Sequence, residues 1–113
     1  MTVFVVQDPT EHGVNLAPAL RFGRLVYLLE RAQQMAPSAM EDYLAAKLVQ
    51  FDPARDYLLP IGNPAAVAMT GGLLGHLCVD YKLLRWLGKP EHKYVVVNVR
   101  PRATLLMNEN EPT

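Results

Sequence analysis

The order of strand-like and helix-like segments constrains the fold of this chain more than any other feature. Runs rich in β-branched and aromatic residues, which are typical of strands, alternate with segments that carry helix-start signals and helical spacing. The predicted order is β-β-α-β-α-β-β. Strands separated by helices pair in parallel, so we predict an α/β fold: a small sandwich with parallel core strands and a C-terminal antiparallel hairpin.

The five strands are predicted at residues 3–7, 24–30, 57–61, 82–87 and 93–100. The nearly continuous apolar run of the second strand predicts burial on both of its faces. Between the first two strands, residues 8–22 contain two prolines and a glycine without any periodicity. This stretch is therefore predicted to be a long loop.

The first helix is indicated by a capping-box spacing between Ser38 and Glu41, whose side chains satisfy each other's backbone N–H groups. An apolar stripe at helical spacing follows this start. It consists of Met40, Leu44, Leu48 and Phe51. One side of this helix is thus predicted to pack against the sheet.

The second helix is predicted to begin after Gly62, with Asn63 as its N-cap and Pro64 as its first residue. It is apolar nearly all round to about residue 79, which predicts a buried helix. Its three glycines would let another backbone approach closely.

Length and composition bound the remaining options. The chain has 113 residues, half of them hydrophobic, with Cys78 as its single cysteine. We predict one α/β domain over residues 1–102 and a polar, mobile tail over residues 103–113. A single cysteine forms no intrachain disulfide, and no Cys/His spacing of a zinc site occurs, so no metal or other cofactor is expected. The lack of a secretory leader pattern and of a membrane-length apolar run predicts a cytoplasmic protein without a membrane partner.

Charge is distributed unevenly along the chain, although the formal net charge is zero. Residues 1–81 hold five basic and eight acidic side chains, residues 82–102 hold six basic and one acidic, and the tail holds two acidic ones. The predicted hairpin is therefore a basic segment in an otherwise acidic chain. This distribution directs attention to one edge of the sheet as the surface for a partner.

The turn between the third strand and the second helix is a candidate ligand site. In parallel sheets, ligands bind beyond the carboxyl ends of the strands, next to helix N-termini. The candidate residues for a small anionic ligand are Gly62, Asn63, Ala65 and Ala66. The glycine-rich nucleotide-binding patterns are missing here, and a plain N-cap explains the same residues without a ligand.

The basic hairpin is the second candidate site. Cationic side chains that track phosphates, interleaved with rings that stack on bases, are the ingredients of a surface for single-stranded nucleic acid. The candidate contacts for nucleic acid or for a protein partner are Lys82, Arg85, Trp86, Lys89, Lys93 and Arg100. Strand parity puts Lys82 and Trp86 on one face and Arg85 on the other. Cross-strand aromatic pairing and edge lysines that prevent aggregation explain the same residues structurally.

The sequence contains little that indicates a catalytic site. Cys78 lies in an apolar stretch, as expected of a buried, inert thiol, and a two-residue separation keeps His76 away from it on a helix. The polar group of Asp8, Glu11 and His12 is an acid–base candidate, but a solvated loop explains it equally well. We therefore predict that the protein is not an enzyme.

Four segments of the sequence are similar to a known group of proteins. They are VFVVQDP at residues 3–9, DYLLPIGNPAAVA at 56–68, LLRW at 83–86 and KYVVVNV at 93–99. In these segments the chain resembles small uncharacterised α/β accessory proteins encoded by tailed bacteriophages. The resemblance brings no active-site residues with it. It implies an accessory protein that acts in the bacterial host cell by binding another molecule.

Three functions of different classes remain open. The first is a non-catalytic interaction protein, a phage accessory factor that binds and modulates a host bacterial protein. The second is a nucleic-acid-binding protein that uses the basic hairpin of residues 82–102. The third is a binder of a small anionic ligand at the helix start after Gly62. A homo-oligomer is compatible with all three, because the apolar helix and a sheet edge each offer a twofold contact.

Overall fold

The computed structural model describes residues 1–9, 13–30, 35–77 and 80–100 of the chain. Strands and helices follow one another in the predicted order, with a short 3₁₀ helix between the first two strands. The elements are β1 (Thr2–Gln7), the 3₁₀ helix (Ala17–Phe22), β2 (Arg24–Leu29), α1 (Pro37–Leu48), β3 (Tyr57–Leu59), α2 (Pro64–Leu77), β4 (Tyr81–Leu87) and β5 (Lys93–Val99). The predicted α/β fold is confirmed.

The strands form one mixed sheet in the order β2-β1-β3-β4-β5. β1 lies parallel to both β2 and β3, and β3 lies parallel to β4. β5 runs antiparallel to β4 and stands at the edge of the sheet. The predicted parallel core and C-terminal antiparallel hairpin are therefore both confirmed. Because β1, β3 and β4 share a direction, their carboxyl ends and the hairpin turn lie at the same side of the molecule.

The two faces of the sheet are covered by different elements. Residues alternate along β1, so that Phe4 and Val6 pack in the cluster with the α-helices, while Val3 and Val5 pack in the cluster with the 3₁₀ helix. All four side chains are buried. We call the side covered by α1 and α2 the helix face, and the opposite side the 3₁₀ face.

The start of α1 differs from the prediction. Pro37 is its first residue, and Ala36 stands at the N-cap without a side-chain hydrogen bond to the helix. Ser38 therefore lies inside the first turn, and the predicted capping box with Glu41 is wrong. Proline can begin a helix because its φ is already helical and its missing N–H would have no partner there. The predicted apolar stripe does belong to the core of the helix face, with Met40, Leu44, Leu48 and Phe51.

The helix α2 starts at the predicted residue but is not buried all round. Asn63 caps it, since its Oδ1 accepts a hydrogen bond from the Ala65 N–H at 2.8 Å. Its buried residues form one stripe against the core: Ala66, Thr70 and Leu74. The prediction of a buried helix is wrong because the sheet covers one side of α2 and leaves the other in solvent.

The sequence predicted that the glycines of α2 let another backbone approach closely. The structure shows no such approach at these glycines. A Cβ atom at Gly71 would lie 3.8 Å from the Tyr81 hydroxyl, which is ordinary contact distance. Cβ atoms at Gly72 and Gly75 would meet nothing within 4 Å. Both of these glycines therefore lie on the exposed side of the helix.

The connection between β1 and β2 is not a plain loop. It contains the 3₁₀ helix, and the Asn15 side chain accepts a hydrogen bond at 3.0 Å from the N–H of the first residue of that helix. Leu16 and Ala19 are buried against the sheet. β2 is exposed or half-buried over its first four residues. Its predicted burial on both faces is wrong because it stands at an edge of the sheet.

A buried carboxylate holds two segments together at the amino ends of the parallel strands. Asp56, which is 7% exposed, directly precedes β3. Its Oδ1 accepts a hydrogen bond from the Thr2 N–H at 3.0 Å, and its Oδ2 accepts one from the Asp52 N–H at 2.8 Å. The sequence analysis did not single out Asp56, because its partner in β1 lies 54 residues away.

Some predictions concern residues outside the described part of the chain. They are those on Glu11, His12, Cys78 and the tail of residues 103–113. Within the described part, no helix is both long enough and apolar enough to cross a membrane.

Candidate binding groove on the 3₁₀ face

The register of the β4–β5 hairpin sorts its side chains between the two faces of the sheet. Leu84 is buried in the cluster of the 3₁₀ face, and Lys82 and Trp86, two positions away on either side, share that face. Tyr94 lies opposite Trp86 on β5 and therefore joins it. The ring centroids of Trp86 and Tyr94 are 4.9 Å apart, with the planes tilted by 59°. An aromatic pair thus stands at the turn end of the hairpin.

The hairpin turn adds a third ring. Residues 88–92 form this turn, and the His92 N–H donates a hydrogen bond to the Gly88 carbonyl at 2.9 Å. His92 has a φ of 47°, in the left-handed region that residues other than glycine rarely occupy. Its ring centroid lies 6.2 Å from that of Trp86, in an edge-to-face arrangement. The turn therefore places an imidazole beside the indole.

The three rings line a groove of about 470 Å³. The segment around the start of the 3₁₀ helix contributes Val14, Asn15 and Pro18 to the lining. Ile61, two residues after β3, completes it. A groove of this size falls within the range of sites that bind small molecules or anchoring side chains, about 300–1,000 Å³. We call it the aromatic groove.

Exposure within the aromatic groove is unequal. Tyr94 is buried, whereas 42% of the surface of Trp86 remains exposed. The Oδ1 atom of Asn15 is engaged in starting the 3₁₀ helix and is not free for a ligand. The groove therefore offers a large exposed ring on a rigid, mostly apolar support.

The Tyr94 hydroxyl is expected to titrate late and to make the fold sensitive to alkali. Burial raises the pKa of Tyr94 above its ordinary value of 10.0. Because the raised pKa stabilises the protonated form in the folded state, this contribution is present below about pH 10 and is lost as pH rises through the raised pKa. Ultraviolet titration of tyrosinate absorbance should show a late phase that Tyr94→Phe reduces.

Tyr27 serves as the internal reference for this titration. Burial and the neighbouring Asp8 carboxylate raise the pKa of Tyr27 as well, so part of the late phase should persist in Tyr94→Phe. A late phase of unchanged amplitude in that variant would show that Tyr94 is not the desolvated group.

The predicted hairpin contacts do not share one surface. Lys82 lies at the far end of β4, where its Nζ is 4.6 Å from the centre of the Tyr57 ring and donates a hydrogen bond to the Ala54 carbonyl at 3.2 Å. Arg85 and Lys93 have the opposite strand parity to Trp86 and lie on the helix face. The structure thus separates most of these cations from the exposed indole.

The two remaining cations of the predicted set lie at opposite ends of the hairpin. Lys89 is exposed in the turn, close in sequence to His92. Arg100 follows β5 and lines a second depression of about 440 Å³, together with Lys82, Asp80 and other residues at that end. No single basic stripe runs along the described hairpin.

The residues of the predicted anion site are engaged with one another and with β1. The Asn63 N–H donates to the Gln7 Oε1 at 2.9 Å, while the Asn63 Oδ1 accepts the Ala65 N–H. Ala66 is buried. Gly62 has a φ of 143°, and a Cβ there would lie 2.5 Å from the Gln7 Cβ. These contacts support the interpretation of this turn as an N-cap packed against β1.

Among the described residues, no group of three or more histidine, cysteine, aspartate or glutamate side chains is placed to hold a metal ion.

Residues 1–101 match the protein family described as phage Pam3 gp32-like protein, a stretch that includes every element from β1 to β5. The chain belongs to this family. The resemblance to bacteriophage proteins that four short segments predicted is thus confirmed, over residues 1–101.

No curated protein and no solved structure matches the chain. Its function is therefore inferred from the geometry of its own residues.

Sequence analysis identified Trp86 but missed most of the aromatic groove. Val14, Asn15 and Pro18 fall in the stretch predicted as a loop, and they reach Trp86 only because the sheet places β3 between β1 and β4. One local signal was present. Asn15 lies two residues before the 3₁₀ helix and Pro18 lies in its first turn, and both residue types are favoured at helix starts.

Proposed function

We propose that this phage protein is a non-catalytic accessory protein that binds a host bacterial protein through the aromatic groove. The position of the single tryptophan of the chain carries the proposal. Trp86 is 42% exposed at the edge of a groove instead of lying in the core. Tryptophans in such positions are typical anchors of protein interfaces, because a large rigid ring buries much apolar area and loses little conformational freedom on binding.

The chemistry of the aromatic groove suits binding better than catalysis. Val14, Pro18 and Ile61 give it an apolar wall that excludes water around an inserted side chain. A tyrosine hydroxyl is protonated at neutral pH, and burial raises the pKa of Tyr94 further, which makes this group a poor base. An apolar or aromatic side chain of a partner, with one polar group in reach of the rings, complements such a surface.

Single-stranded nucleic acid is the second candidate partner. An exposed indole is a good platform for base stacking, and Lys89 lies in the adjacent turn. A nucleic-acid groove needs several cations along one track, however, and Arg85 and Lys93 lie on the opposite face of the sheet. A protein partner therefore fits the described charges better.

Affinity capture from bacterial lysate with the tagged full chain tests the proposal. We expect one host protein to be recovered in stoichiometric amount. Trp86→Ala should reduce this recovery about tenfold or more, because it removes the anchor from the groove. Arg85→Ala is the matched control: it removes a large exposed side chain from the adjacent residue on the helix face, and recovery should stay unchanged.

The alternatives give different results in the same experiment. Recovery of nucleic acid that falls steeply with added salt would replace the protein partner with the second candidate. Equal recovery by Trp86→Ala and by the unmodified chain would place the binding surface outside the aromatic groove. Circular dichroism of each variant establishes that the comparison is between folded proteins.

A further inference from the structure

We propose that β5 is the contact strand of a twofold homodimer in which two copies of the chain pair antiparallel, edge to edge. β5 is the last strand of the sheet and pairs with β4 alone among the described residues. Along the other side of an edge strand, alternate N–H and C=O groups have no strand partner. The proposal does not depend on a host protein, although Tyr94 belongs both to β5 and to the aromatic groove.

After Lys93, β5 lacks the features by which edge strands of monomeric proteins avoid pairing. Such strands are short, or carry inward-facing charges, prolines or bulges. From Tyr94 to Val99, β5 has no charged residue and no proline. Each of its seven residues pairs with one residue of β4, so the ladder contains no bulge. The strand is therefore seven residues long and free of bulges, and it is uncharged from Tyr94 to Val99.

The side chains of β5 favour a second copy as the occupant. In an antiparallel pair centred on Val96, this residue lies opposite its own copy, and Val95 of each chain lies opposite Val97 of the other. Cross-strand pairs of β-branched residues stabilise a sheet, and a twofold contact is self-complementary in this way. Val96 is 40% exposed in the single chain and would be covered at the centre of the seam.

The charges at the ends of β5 are compatible with this register. Lys93 of one copy lies opposite Val99 of the other, six positions away from the second Lys93. At about 3.4 Å per residue this separation is about 20 Å, which exceeds the screening length of about 8 Å at physiological ionic strength. The nearest cation to each Lys93 in this register is Arg100 of the other copy, one position beyond Val99, and strand parity directs these two side chains to opposite faces of the sheet.

The helix face gives the pairing an apolar component. Val95, Val97 and Val99 are half-buried there. Joining two edges places Val95 and Val97 of the two copies opposite one another across a ten-stranded sheet, with Val99 next to Val97 on the same face. The contact is nevertheless small, so we expect a weak dimer with a dissociation constant on the order of micromolar.

Disulfide trapping tests both the contact and its register. The experiment uses the full chain with Cys78→Ser, so that an introduced cysteine is the sole thiol. Directly opposed residues of an antiparallel pair have Cα atoms about 4.5–5.5 Å apart, which a disulfide spans. Val96→Cys should therefore form covalent dimers with oxidised glutathione. Lys93→Cys, on the same strand and also exposed, should not, because its two copies lie about 20 Å apart.

A second measurement keeps the proposal open to refutation if a cysteine variant folds poorly. Light scattering of the unmodified chain over about a hundredfold range of concentration should show a rise from monomer to dimer mass. Val96→Lys should abolish this rise, and Val96→Thr, which keeps the β-branched shape, should retain it. Monomer mass at every concentration, or cross-linking of Lys93→Cys in preference to Val96→Cys, would overturn the proposal.

Discussion

Asp56→Asn is expected to lower the free energy of unfolding by about 3 kcal/mol. Both carboxylate oxygens of Asp56 accept hydrogen bonds from backbone N–H groups, those of Thr2 and Asp52. An asparagine side chain has one oxygen and one NH₂ group, so one of these N–H groups would face another donor. Because Asp56 is buried, water cannot fully replace the lost bond. Urea denaturation of the two proteins measures the difference.

Asp52→Asn is the control for this measurement. Asp52 is exposed, and its Oδ1 accepts a local hydrogen bond from the Ala54 N–H at 3.0 Å, which the oxygen of an asparagine can also accept. We expect a change within about 0.5 kcal/mol. Equal effects of the two substitutions would mean that Asp56 does not hold β1 to the connection before β3.

Gly62→Ala is expected to destabilise the fold by about 3 kcal/mol, through strain and overlap together. The φ of 143° is unfavourable for any residue with a side chain, and the new Cβ would lie 2.5 Å from the Cβ of Gln7. Gln7 cannot move away easily, because its side chain accepts a hydrogen bond from the Asn63 N–H and donates one to the Glu30 carbonyl. Thermal or urea denaturation shows the loss directly.

Gly72→Ala provides the matched comparison. Gly72 lies in the exposed part of α2, and a Cβ atom there would meet nothing within 4 Å. Alanine should therefore stabilise the helix by about 0.5–1 kcal/mol. Changes in the free energy of unfolding that have opposite signs for the two substitutions would establish that Gly62 is required for backbone packing. A neutral Gly62→Ala would contradict this and would make a ligand at the turn a better explanation of the glycine.

The parts of the fold that follow from local patterns were predictable from the sequence. The succession of strands and helices along the chain, the parallel core and the hairpin follow from the alternating types of segment. The start of α2 follows from Asn63 and Pro64, which act within their own turn. The stripe on α1 follows from the spacing of its apolar residues.

The features that depend on tertiary pairing were not predictable in the same way. A uniformly apolar helix predicts burial, but the sheet determines how much of α2 is covered, and its glycine side stays exposed. Ser38 and Glu41 have capping-box spacing, yet Ala36 is the N-cap and Pro37 begins the helix, two residues earlier than that spacing implies. The aromatic groove joins residues from three separate segments of the chain, so no local pattern indicates it.

Site-specific photo-crosslinking in bacterial cells tests the central claim most directly. A photoreactive amino acid at Val14, which is 38% exposed in the aromatic groove, should cross-link to one host protein. The same amino acid at Val49, which is 77% exposed directly after α1, should give no specific product. Specific cross-links from position 49 and none from position 14 would contradict the assignment of the aromatic groove as the partner-binding surface.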